Sequence, residues 1–182
     1  MKIGLFVGSF NPITLAHENI VRDLLKNKII DYVYFLPVNS KKSDLISIDK
    51  RIDMIKLLNI KETETLNIYD YENSGLFNYN VLNSIDKKIT HIIMGSDLFL
   101  KFKTFANWNT ILEKYYIVVI KRDFDIINYI EKNYNDYKKR IVIVNQNYAG
   151  SSLKAKEALK KHYNIYLNSK VLDYIGKNNL YN

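Results

Sequence analysis

The sequence predicts an α/β protein built on a doubly wound parallel sheet. Three observations carry that expectation. Short apolar runs and amphipathic stretches alternate from one end of the chain to the other, the pattern of strand–helix–strand units. The run at residues 116–120 is apolar almost throughout, as a parallel strand covered on both faces must be. No stretch rich in Pro, Gly or Ser divides the 182 residues, and no internal repeat is evident, so one domain, 1–182, is expected.

Taken in order, residues 2–7 open the chain as a strand and residues 16–26 follow as a helix. Residues 31–36 are a second strand, rich in aromatic and β-branched side chains and ended by Pro37. A polar loop, residues 39–47, carries Lys41 and Lys42. Ser47 or Asp49 is expected to cap the next helix, where Ile52, Met54, Ile55 and Leu58 fall at helical spacing. Residues 66–69 read as a third strand, Asn73-Ser74-Gly75 as a turn and residues 78–85 as a short helix. A fourth strand at 90–94 ends at Gly95-Ser96-Asp97. Short helices are expected over 98–102 and 108–112, then the strand at 116–120, a helix over 126–133 and a last strand at 140–144. Helices over 152–161 and 169–177 close the chain.

Composition excludes several classes. Hydrophobic residues make up 47% and charged residues 25%, the balance of a soluble globular protein. No apolar run is long enough to cross a membrane, and the N-terminal residues lack the pattern of a secretory signal, so a cytoplasmic protein is expected. With no cysteine there is no disulfide, thiolate nucleophile or cysteine zinc site. The histidines are His17, His91 and His162, which argues against a histidine-rich metal site. A net charge of +8 suits nucleic acid or phosphorylated small molecules. The basic runs Lys138-Lys139-Arg140 and Lys160-Lys161-His162 read as solvated helix ends, and no RNA-binding motif or clear basic stripe is evident. Nucleic acid is therefore not the expected partner. The sequence does not report an oligomeric state.

The dinucleotide fingerprint and the P-loop are both absent, so any nucleotide is held in another way. The stretch Gly8-Ser9-Phe10-Asn11-Pro12-Ile13-Thr14-Leu15-Ala16-His17 lies between the first strand and the first helix. In an open parallel sheet, ligands bind at the carboxyl ends of the strands, and a helix start there offers N–H groups to phosphate. Gly8 lets the backbone approach a phosphate closely. Thr14 and His17 are suited to donate to phosphate oxygens, and a histidine beside phosphate charge is expected to stay protonated.

This turn resembles the signature of the nucleotidylyltransferase superfamily, a glycine–aromatic–x–proline turn followed by (His or Thr)-x-Gly-His, with Thr14 and His17 in place and Ala16 where glycine is preferred. The resemblance implies a Rossmann-like nucleotidylyltransferase fold with C-terminal helices. It also implies that Gly8, Ser9, Phe10, Thr14 and His17 hold the ATP α-phosphate and the transition state. Ile93-Met94-Gly95-Ser96-Asp97-Leu98-Phe99, then Trp108-Asn109-Thr110-Ile111-Leu112, resembles the nicotinate and nicotinamide mononucleotide adenylyltransferases, as does the ending from Val171 to Tyr181. By that resemblance Gly95 and Asp97 serve the nucleotide ribose and Trp108 the pyridine pocket, where an aromatic face suits a flat ring.

Gly150-Ser151-Ser152-Leu153-Lys154-Ala155-Lys156 stands where the family has Ile-Ser-Ser-Thr-x-Ile-Arg. Ser151 and Ser152 match and would face the triphosphate. Gly150, Leu153 and Lys156 depart; lysine keeps the charge and loses the arginine fork. On the substrate side the family suggests Lys41, Lys42, Arg51, Tyr79 of Asn78-Tyr79-Asn80, and Arg122. Tyr174 and Tyr181 read as packing residues. The implied reaction joins ATP to nicotinate or nicotinamide mononucleotide and releases pyrophosphate, with His17, Thr14 and Lys156 as catalytic groups. Mg²⁺ would be carried on the ATP phosphates, with no protein metal ligands named. The opening motif also resembles pantetheine-phosphate adenylyltransferase, where threonine is usual at the Thr14 position. A nucleotide-binding protein without catalysis is the alternative of another class.

Overall fold

The computed structural model describes residues 1–39, 44–70, 77–122, 125–145, 148–163 and 165–181. Among them, six strands form one parallel sheet: β1 (Ile3–Gly8), β2 (Tyr32–Pro37), β3 (Thr63–Thr65), β4 (His91–Gly95), β5 (Tyr116–Lys121) and β6 (Ile141–Asn145). Their spatial order is β3-β2-β1-β4-β5-β6, so the winding reverses between β1 and β4. Ligands of open α/β sheets bind beyond the carboxyl ends of the strands at such a reversal.

The strands alternate between two buried faces, as a period of two requires. Leu5, Val7, Ile92, Met94, Ile117 and Val119 belong to one core cluster. Phe6, Ile93, Val118 and Ile120 belong to the other. Helices α1 (Leu15–Lys26), α7 (Ser152–Lys160) and α8 (Ser169–Lys177) contribute Ile20, Val21, Leu24, Ala155, Val171 and Ile175 to the second cluster. Helices α3 (Tyr79–Ser84), α5 (Trp108–Lys114) and α6 (Ile126–Asn133) contribute Val81, Leu82, Ile111, Leu112, Ile126 and Ile130 to the first. Helix α2 (Ile48–Lys56) reaches both, with Ile48 and Ile52 in the first and Met54 and Ile55 in the second. Ser96–Phe99 is the one-turn helix α4.

One expectation needs correction. The third strand is Thr63–Thr65, not residues 66–69. Leu66 and Ile68 do point inward, but as core residues, and Ile68 opens a 3-10 turn, Ile68–Asp70. The strand itself is a short polar edge, which carries little hydrophobic pattern. Pro37 ends β2 as its last residue, one residue beyond the expected bound, and is paired in register with Gly8. The expected turn at 73–75, with Lys41 and Lys42, falls outside the described residues.

Candidate active site

The turn after β1 is built around two aromatic rings. Phe10 has a positive φ of 45° and turns its ring back into the core, where it is 1% exposed. A Cβ on Gly8 would stand 3.0 Å from that ring, so this position favours glycine. Phe6, Phe10 and His17 form a cluster, with His17 5.3 Å from Phe10 and 6.0 Å from Phe6 between ring centroids.

Thr14 caps α1, but its polar groups face the imidazole. Its N–H donates to His17 Nδ1 at 3.1 Å, and its hydroxyl lies 2.8 Å from the same nitrogen. The N–H can only donate, so Nδ1 is an acceptor and the proton of the neutral ring sits on Nε2. Burial lowers the His17 pKa to about 3, helped by the charge of Arg122 and opposed by that of Asp97. The ligand-free ring is therefore neutral; the expectation of a protonated ring concerned a histidine beside bound phosphate. Thr14 is 1% exposed and orients His17 rather than reaching outward.

The start of α1 is less open than a bare helix end. Leu15 N–H donates to the Tyr166 carbonyl at 2.8 Å, and Asn168 Nδ2 reaches Glu18 Oε2 at 3.0 Å. The C-terminal segment thus lies across this helix start.

Beyond β4 and β5, Gly95, Asp97 and Arg122 come together. A Cβ on Gly95 would collide with the Asp97 carboxylate, and Arg122 Cζ would be 3.8 Å away. Arg122 N–H donates to the buried Ser96 hydroxyl at 3.3 Å. Arg122 and Asp97 are exposed, and both act electrostatically on His17.

From the other side comes α7. Ser151 caps it, its hydroxyl accepting from Lys154 N–H at 3.2 Å. The Ser152 hydroxyl donates to the Pro12 carbonyl at 2.8 Å, which docks α7 on the turn. Lys156 is four residues on from Ser152, on the same face, and forms an ion pair with Asp44. Gly150, where the family pattern has isoleucine, has φ of +122°, and a Cβ there would be 2.9 Å from the Tyr166 ring. The local backbone explains that departure.

Arg51, expected on the substrate side, is wholly buried and holds the walls of the site together. Its Nη1 donates to the Ser9 and Val38 carbonyls, each at 2.8 Å, its Nη2 to Asn39 Oδ1 at 2.6 Å and its Nε to the Ile46 carbonyl at 3.1 Å. Trp108 is half-buried, edge-on to Tyr134 and Tyr137, with Lys103 Nζ 5.3 Å from its ring. Tyr79 accepts from Lys114 Nζ at 2.9 Å. Trp108 and Tyr79 pack against the core cluster opposite the one that holds Phe10. Sequence reasoning gave no role to Asn11 or Asp44 and read Tyr181 as packing. Their partners are distant in sequence, so no local pattern marks them.

The sequence model of the Cytidylyltransferase-like family matches residues 5–157. The chain belongs to this family. It is 28% identical over 190 residues to a Fusobacterium nucleatum protein named "Probable nicotinate-nucleotide adenylyltransferase", with 97% of this chain and 98% of that one covered. A Carboxydothermus hydrogenoformans protein of the same name is 26% identical over 196 residues, covering 99% and 98%. The fold superposes on Plasmodium falciparum nicotinic acid mononucleotide adenylyltransferase complexed with NaAD at a TM-score of 0.75, with 21% identity and coverage of 99% of this chain and 97% of that one. As a Cytidylyltransferase-like chain it shares the Rossmann-like nucleotidylyltransferase fold. Among the described residues no helix is long and apolar enough to cross a membrane.

Proposed function

We propose that the protein is a nicotinate-nucleotide adenylyltransferase. It joins the AMP part of ATP to nicotinate mononucleotide and releases pyrophosphate. The observation that carries this reading is the convergence of four sequence-distant groups at one sheet edge: the turn with His17, the Gly95–Asp97 segment, Arg122, and Ser152 with Lys156. The names of its curated relatives supply the acceptor.

In this reading the mononucleotide phosphate attacks the α-phosphorus of ATP in line. A new P–O bond forms, the bond to the β-phosphate bridge breaks, and pyrophosphate leaves with the electron pair. No protein nucleophile is needed; positioning and charge stabilisation supply the rate. His17 presents Nε2–H to an α-phosphate oxygen. The Ser151 and Ser152 end of α7 and the Lys156 ammonium take the β- and γ-phosphates. Asp97 and Gly95 meet the ribose, Arg122 meets phosphate charge, and Trp108 with Tyr79 serves the pyridine side. Mg²⁺, a hard ion that prefers oxygen ligands, would enter on the ATP phosphates. When bound it neutralises phosphate charge.

The test is pyrophosphate release from MgATP with nicotinate mononucleotide, nicotinamide mononucleotide and 4′-phosphopantetheine in parallel. Turnover with nicotinate mononucleotide is expected to dominate. Turnover with phosphopantetheine alone would replace the acceptor, and silence with all three in protein that binds MgATP would favour a non-catalytic role.

A further inference from the structure

We propose that Tyr181 is a positioning residue for nucleotide binding, fixing the Lys156 ammonium through Asn11 and Asp44. The inference rests on the reading of Lys156 as a triphosphate ligand. Three links make the relay. The Tyr181 hydroxyl donates to Asn11 Oδ1 at 2.8 Å, across 170 residues of sequence. Asn11 Nδ2 donates to the Asp44 carbonyl at 3.0 Å. The Asp44 carboxylate pairs with Lys156 Nζ.

Each link has a reason to be specific. The Asn11 side chain is 2% exposed, and its Oδ1 also accepts from Ile46 N–H at 3.3 Å. Two donors meet its oxygen and one acceptor meets its nitrogen, so only one orientation of the amide satisfies them. That orientation holds the Asp44 backbone beside the phosphate turn. Lys156 sits on α7 with only 13% of its side chain exposed, while Asp44 is 54% exposed. An ammonium has three donors. One is directed at Asp44, which fixes the stem and leaves the others for phosphate oxygens. A lysine already held loses less rotamer freedom when ligand arrives. At the far end, Leu180 is buried in the core and anchors the tyrosine. Burial keeps the Tyr181 phenol protonated, with Arg51 opposing and Asp44 adding to the effect, so it acts as a donor at neutral pH.

The test is a double-mutant cycle read by calorimetric titration of MgATP without any acceptor. The proteins are wild type, Tyr181→Phe, Lys156→Ala and the double variant. Tyr181→Phe removes only the hydroxyl, and its melting temperature should stay within about 2 °C of wild type. We expect it to weaken MgATP binding about fivefold, and to change Kd by less than about twofold once Lys156 is alanine, because the relay then has nothing to position. An unchanged Kd in Tyr181→Phe overturns the proposal. So does an equal loss in both backgrounds, which is the mark of a purely structural role. Wild-type protein that binds MgATP but turns over no pyridine mononucleotide removes the acceptor reading alone, and the cycle still decides the relay. Wild-type protein that does not bind MgATP overturns both.

Discussion

Thr14 gives its backbone N–H to His17 Nδ1 at 3.1 Å, and this bond decides which side of the imidazole is left for a ligand. The remaining nitrogen, Nε2, is the donor. The ring is held in that state by a residue of the same turn, so strand, turn and imidazole donor are parts of one local structure.

Replacing His17 with alanine removes this donor and is expected to lower kcat for pyrophosphate release about 100-fold or more, the scale of a lost oxyanion-type donor. His17→Gln places an amide N–H near the lost Nε2–H and should retain more activity than alanine. Steady-state rates of the two variants, with circular dichroism to check the fold, test the order. Equal rates for glutamine and alanine would contradict the donor role.

The same burial makes stability depend on pH. The unfolded chain takes up a proton at His17 near pH 6.5, while the folded chain resists it down to about pH 3. The folded state binds fewer protons across that window, so its stability falls as pH is lowered from about 6.5 to about 3, by up to about 1.4 kcal/mol per pH unit from this group. Urea unfolding at several pH values should show a flatter slope in His17→Gln than in wild type. Identical slopes would mean that the ring titrates normally when folded.

Arg51→Lys keeps the charge and loses the fork. It should leave the Ser9, Val38 or Ile46 carbonyl without its donor and cost about 1–3 kcal/mol, read from the denaturation midpoint. A loss below about 1 kcal/mol would show that the walls of the site do not depend on this hub.

Gly150→Ala should destabilise by about 1–3 kcal/mol, since φ is +122° and the Tyr166 ring blocks the new methyl. Gly176→Ala is the control. It lies in α8 with nothing within 4 Å of an added Cβ, so it should be neutral or stabilise by up to about 1 kcal/mol. Paired melting curves would show opposite or clearly unequal shifts.

The sheet was legible because its strands are buried on both faces. Tyr116–Lys121 and Ile3–Gly8 have no competing polar pattern, and the helices Ile126–Asn133 and Ser169–Lys177 begin beside capping residues, Asp125 and Asn168. The edge strand was not legible, because Thr63–Thr65 carries no apolar stripe while Leu66 and Ile68 beside it do. At the candidate site the motif turn could be read because its parts are contiguous. The protonation state of the ligand-free His17 could not, since it depends on burial in the folded core and on Arg122 and Asp97, which lie far along the chain. Arg51 had the right residue type for a ligand, but its acceptors are carbonyls that only the folded chain brings together. Tyr181 looked like packing for the same reason.

The turn after β1 and the start of α1 are fastened by residues that lie far along the chain: Tyr166 on Leu15, Asn168 on Glu18, and Tyr181 on Asn11. During synthesis the first strand, turn and helix emerge from the ribosome long before these partners. At 5–20 residues per second, the 150 residues between Glu18 and Asn168 take about 8–30 s. A nascent chain therefore carries the whole signature motif for many seconds before the contacts that fasten it in the fold can form.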